Sequence, residues 1–124
     1  MTYQLVIDQK PSYLHATITG VNSAANVVAY LDEILRECLA RGCPKVLVEE
    51  RLSGPRLGTM DVFAIVSEGT RKAQGKLTAM AYVDVHAEGD LMKFAETVAV
   101  NRLLPVAVFP TVADAEKWLL AVRA

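Results

Sequence analysis

The residues best suited to chemistry gather in one stretch, Lys45 to Thr70, reading KVLVEERLSGPRLGTMDVFAIVSEGT. Two carboxylates, Glu49 and Glu50, stand beside a guanidinium, Arg51. A hydroxyl, Ser53, follows, then Gly54, a second guanidinium at Arg56, Gly58, and a further hydroxyl, Thr59, where a helical pattern opens. The first amides of a helix lack intrahelical partners, and the aligned peptide dipoles make that end positive. With Arg51 and Arg56 added, and with glycines that let another backbone approach, the stretch has the parts of an anion-binding or partner-contact site. Asp61 in the first helical turn, with Glu49 and Glu50 nearby, competes for the same positive charge. Weak anion binding or a protein contact is therefore expected, rather than a nucleotide pocket. Ser53 and Thr59 read first as a turn serine and a helix cap, and after that as a regulatory phosphosite with Ser53 the first candidate. The two arginines read first as solvated surface charge.

A second constellation is Glu50, Asp84 and His86. If the segments around them are neighbouring parallel strands, these groups reach the C-terminal edge, where α/β proteins form their sites. There they could bind a divalent metal or move protons. Their spacing matches no metal signature, and His86 reads as well as a polar loop residue. No glycine-rich phosphate loop, no Ser/His/Asp arrangement and no nucleophilic cysteine context occurs. No catalytic residue, metal or cofactor is expected on these grounds. His15 falls within an alternating stretch and reads as a surface or packing residue. Cys38 and Cys43 are too few and wrongly spaced for a disulfide framework or a zinc site, and Cys38 falls on an apolar helical face.

The elements that must position these groups come from periodicity. Tyr3 to Asp8 alternates with Leu5 and Ile7 on one face, and Tyr13 to Thr19 alternates with Leu14, Ala16 and Ile18. A polar turn with Pro11 between them predicts an antiparallel hairpin, closed by Gly20. Asn22 or Ser23 caps a helix whose inner positions are Val27, Leu31, Ile34, Leu35 and Cys38; Gly42 stops it and Pro44 prevents continuation. Lys45 to Glu50 is a third strand, without alternation at Val46-Leu47-Val48, as in a strand covered on both faces. The loop Leu52 to Gly58 leads to a helix capped by Thr59 and running to about Lys72, with Val62, Phe63, Val66 and Ala73 inward and Gly75 after it. Lys76 to Val85 is a fourth strand. Asp90 caps a third helix with Leu91, Phe94, Ala95 and Val98, and Leu104 to Phe109 is the last strand, delayed or placed at an edge by Pro105. Thr111 and Asp114 resemble a capping box before a final helix that buries Ala115, Trp118, Leu119 and Val122. The predicted fold is α/β, a single domain over residues 1–124, with a mixed five-stranded sheet in the order ββαβαβαβα.

Composition narrows the function. The chain has 124 residues, 52% hydrophobic and 22% charged, which suits one globular domain with a real core. A net charge of -1 gives no electrostatic reason to expect nucleic acid or an anionic membrane surface. The apolar runs are short and interrupted, so no membrane span is expected, and MTYQLVIDQK is too short and mixed for a signal peptide. A reduced, cytoplasmic protein is expected.

The element order, the length and the last segment, Phe109-Pro110-Thr111, Asp114-Ala115-Glu116 and Trp118-Leu119, resemble the STAS fold. Its type members are bacterial anti-sigma-factor antagonists, with a related SpoIIAA-like group. In those antagonists a serine or threonine at the start of the helix after the third strand, in an Asp-Ser context, is phosphorylated by a partner kinase. This chain departs there, with Glu49-Glu50-Arg51-Leu52-Ser53-Gly54-Pro55-Arg56 and a longer loop. The resemblance implies a non-enzymatic regulatory or interaction domain that binds a protein partner through the loop after the third strand and the helix beyond it. Two other functions compete. One is a small-molecule or lipid-binding module, with a small apolar ligand lodged where Ala64, Ala73, Ala95 and Ala99 leave room. The other is a small enzyme using Glu50, Asp84 and His86. Met60, Leu91 and Met92 open helices from positions that need not face the core, which suits a homodimer.

Overall fold

The structure, a computed structural model, describes residues 3–54, 58–73, 75–84 and 106–122. Five strands form one sheet, ordered as they occur along the chain: β1 Tyr3–Gln9, β2 Leu14–Val21, β3 Lys45–Ser53, β4 Ala79–Asp84 and β5 Val106–Phe109. β1 and β2 are the predicted antiparallel hairpin, with Leu5 opposite Ile18 and Ile7 opposite Ala16. From β2 onward every pairing is parallel. The described helices are α1 Ala24–Ala40, α2 Thr59–Ala73 and α3 Val112–Ala121. The helix expected from Asp90 lies outside the described residues.

Strands that add in one direction with crossovers of one hand must place their crossover helices on one face. α1 and α2 accordingly share one apolar cluster. It takes Val27, Tyr30, Ile34 and Cys38 from α1, Ala73 and Ile65 from α2, and Leu14, Ala16, Ile18, Val46, Val48, Met80 and Tyr82 from the sheet. α3 follows the last described strand and is not a crossover between strands of this sheet. It covers the opposite face, where Ala115 and Leu119 pack on Leu47, Ala79, Ala81 and Val83. The small alanines of β4 let this helix lie close, and Lys45 at the start of β3 donates from Nζ to the carbonyls of Leu119, at 3.3 Å, and Val122.

The helix ends follow their chemistry. Ser23 rather than Asn22 caps α1, its hydroxyl accepting from the Asn26 amide at 3.2 Å. At the other end the Gly42 amide donates to Leu39 at 3.3 Å and the Cys43 amide to Cys38 at 2.9 Å, with Gly42 at φ +62°. Thr111 caps α3 as expected, accepting from the Asp114 amide at 3.2 Å.

Several expectations change. β3 does not end at Glu50: Leu52 and Ser53 keep pairing with Gly20 and Val21 of β2, so the loop begins at Gly54. Tyr30 joins Val27, Ile34 and Cys38 as the buried apolar residues of α1, while Leu31 and Leu35 are partly buried and pack against the same cluster. In α2 Ala73 meets the core as expected, joined by Ile65, while Phe63 is exposed. Trp118 is half-buried at the flank of α3, tilted against Phe109 with ring centroids 5.8 Å apart. Ala115 and Leu119, one turn apart, take the buried line instead.

Candidate functional site

Strand alternation decides the fate of the acidic pair. Successive side chains point to opposite faces, so Glu49 and Glu50 part company. Glu50 lies on the face of Val46 and Val48, under α1. The Tyr30 hydroxyl donates to its carboxylate, and the Tyr82 hydroxyl lies 3.3 Å from that of Tyr30. Tyr30 is fully buried. Burial first, then Tyr82 and Glu50, push its phenol well above the ordinary range, and burial and Glu50 do the same to Tyr82. Both phenols are therefore held protonated as donors. With the Tyr30 proton committed to Glu50, Tyr82 is left to donate to Tyr30, a short relay from β4 through α1 to β3. Tyr3 approaches Tyr30 edge-on, with centroids 5.9 Å apart, and donates to Glu33 at 2.9 Å. Asp84 is the register partner of Glu50 on β4.

Glu49 faces the other way. Its Oε1 is 2.9 Å from His15 Nε2 on β2 and its Oε2 is 2.6 Å from Arg51 Nε. Burial pushes the Glu49 carboxyl up, but the hydrogen bonds from Arg51 and His15 pull it further down, leaving it below the ordinary glutamate range. His15, read from sequence as a surface or packing residue, is thus tied to an acid on the next strand. Arg51 remains largely exposed, but it is on the face away from α1 and α2.

The expected loop site is therefore spread around a strand end. Ser53 is the last residue of β3; it is exposed, and its hydroxyl donates to the Gly20 carbonyl at 3.1 Å. Gly54 takes φ +96°, turning the chain out of the sheet beside Val21. Arg56 lies outside the described residues. Gly58 is exposed, and α2 begins at Thr59 itself. Asp61 is exposed in the first turn of α2. Next to it the helix turns an apolar stripe to solvent: Met60 is 79% exposed, Phe63 39%, and Ala64 is exposed as well. Positions i, i+3 and i+4 lie side by side on a helix surface.

For the competing constellation, Glu50 and Asp84 are brought together as a cross-strand pair, and His86 lies outside the described residues. Among the described residues no three His, Cys, Asp or Glu side chains converge as a metal site. Of the small residues expected to leave a cavity, Ala64 faces solvent and Ala73 is packed in the core, while Ala95 and Ala99 lie outside the described residues. Tyr30 and Tyr82 were not singled out by sequence reasoning. The available signal was a phenol on an inward helical line, since a buried tyrosine hydroxyl needs a partner.

A sheet ordered as the chain runs, with an antiparallel first hairpin, parallel strands after it and helices on both faces, is the STAS fold that the sequence resembles. Among solved structures, the chain is similar to the crystal structure of an anti-sigma factor antagonist from Mycobacterium paratuberculosis, with a TM-score of 0.57 over 96% of this chain and 95% of that one. At 10% identity the likeness is one of fold. No family model matches the chain, and no curated protein matches it in sequence. No described helix is long and apolar enough to cross a membrane.

Proposed function

We propose that this chain is a non-enzymatic regulatory domain that works by protein contact, through the end of β3, the loop after it and the first turns of α2. The observation that carries the reading is the exposed stripe Met60, Phe63 and Ala64 at the start of α2. Met60 stands largely in solvent, and Phe63 beside it keeps part of its ring exposed. Such patches mark contact surfaces, and flexible methionine adapts to a partner. The structural neighbour supports the class, because a protein named an anti-sigma factor antagonist opposes another protein. Ser53, with its exposed hydroxyl, Gly54, Gly58 and Thr59 border the stripe in sequence, with Arg56 between them, and complete the contact region; Arg51 lies on the opposite face of the sheet and takes part only where a partner wraps the strand end. Phosphorylation at Ser53 would add charge and remove the bond to Gly20. Arg51 is engaged by Glu49, and Asp61 stands in the first turn, so the contact is with a protein surface rather than a tightly held free anion.

The test is affinity capture from cells of the source organism, run side by side with wild type, Met60→Asp, and the pair Arg51→Ala with Arg56→Ala. Met60→Asp should keep its melting temperature, because Met60 is exposed, while the arginine pair should lose some stability, because Arg51 gives up its bond to Glu49. A partner retained by wild type should be lost with Met60→Asp and weakened by the arginine pair. A partner held equally by all three would move the locus elsewhere, first to Asp84 and His86.

A further inference from the structure

The two cysteines occupy a specific place in the fold. α1 ends with the Gly42 amide bonded to Leu39 and the Cys43 amide bonded to Cys38, with Gly42 left-handed. This is the Schellman motif, in which the third residue before the cap and the second residue after it are the positions whose side chains meet. Here those positions are Cys38 and Cys43, with Arg41 as the cap. The main-chain bond also limits their separation. With the Cys43 nitrogen 2.9 Å from the Cys38 oxygen, standard covalent geometry allows the two Cα atoms to be at most about 6.8 Å apart. That is within the separation of about 4.4–6.8 Å over which a disulfide closes without moving the backbone. Both side chains belong to the same apolar cluster, Cys38 in its buried part and Cys43 half-buried at its margin. Burial first, and then the nearness of Cys43, push the Cys38 thiol up to about 12. Neither cysteine is in a disulfide, and the Cys43 thiol donates to the Lys45 carbonyl at 3.6 Å.

We propose that Cys38 and Cys43 form an oxidation-sensitive thiol pair, a modification site at which a small-molecule disulfide closes an intramolecular bond in the folded chain. The half-exposed Cys43 reacts first. Its thiolate attacks one sulfur of the oxidant, the oxidant's S–S bond breaks, and one small thiolate leaves and takes up a proton. The Cys38 sulfur then gives up its proton and attacks Cys43 Sγ, and the second small thiol leaves protonated. Two protein thiols become one disulfide, and one oxidant disulfide becomes two thiols. Burial makes Cys38 a poor attacker of anything in solvent, but its fixed place beside Cys43 supplies the high effective concentration that the second step needs. The bond fastens the end of α1 to the segment that starts β3, where the Pro44 carbonyl accepts the Thr78 amide at 2.8 Å.

Oxidised glutathione is the probe. The folded chain is incubated with it, quenched with an alkylating reagent and weighed intact, with near-ultraviolet circular dichroism recorded throughout. The expected product is lighter by about 2 Da, takes up no alkyl group and keeps its native spectrum. Closure in buffer should be at least about tenfold faster than in urea, because the fold holds the sulfurs together. Cys38→Ala should stall as the Cys43 mixed disulfide. That variant opens a space in the core, so Cys43→Ser, at a half-exposed position, is the independent check and should form no adduct. A wild-type chain that keeps two alkylatable thiols, stops at a mixed disulfide, or closes only in urea would overturn the proposal.

Discussion

Removing one oxygen atom in Tyr30→Phe is expected to cost about 1–3 kcal/mol, because the hydroxyl is fully buried and both the half-buried Glu50 carboxylate and the Tyr82 hydroxyl lose their hydrogen bond to it. The urea midpoint measures this, and a change of a few tenths would mean that water takes over the lost bonds. Glu49 gives a pH signature. Its carboxyl is depressed in the folded chain, so the unfolded chain takes up the proton first as pH falls. The stabilisation is fully present above the ordinary glutamate value of about 4.3 and disappears as pH drops through the lower folded value. Glu49→Gln should flatten the dependence of stability on pH in that acid window while changing little near pH 7 in its slope. Urea titrations between the two limits would show either the flattening or an unchanged slope, and the latter would deny the His15–Glu49–Arg51 link its role.

Two elements show how chain ends and flanks are held. At the end of α1 a Cβ on Gly42 would meet no atom within 4 Å, so Gly42→Ala tests conformation alone. The left-handed φ of +62° should make it cost about 1–2 kcal/mol; a neutral result would mean that the cap rearranges. α3 is held by a narrow line, Ala115 and Leu119, by the lysine at its C-terminus, and by the lean of Trp118 on Phe109. Trp118→Ala should therefore cost about 2 kcal/mol, below the 3–5 kcal/mol of a fully enclosed aromatic. A larger loss would place the ring deeper than its half-buried position.

For the molecule as a whole, the exposed Met60 and Phe63 suit a second copy of the chain as well as another protein, and twofold pairing is the commonest form of self-association. Light scattering at high concentration is expected to give a dimer mass that Met60→Asp reduces to the monomer. A monomer mass at every concentration would leave the stripe to another protein alone.

The sequence by itself determined the described elements and their order. Alternation in Leu5 and Ile7 against Leu14, Ala16 and Ile18 forced a hairpin with one buried face, and Gly42, Ser23 and Thr111 marked helix ends through local chemistry that acts within a few residues. These signals are short-range, so they are legible without the rest of the chain. The candidate site was legible only as a stretch. Which of Glu49 and Glu50 meets Tyr30, and which meets His15, depends on which face each helix covers. Spacing along the chain does not contain that information. The final helix shows this most plainly: its apolar line predicted burial, but it is not a crossover between described strands, and nothing local assigned it to the face opposite α1 and α2. Only the tertiary packing did so, and in doing so it left Trp118 at the rim and Arg51 on the far side of the sheet from α2.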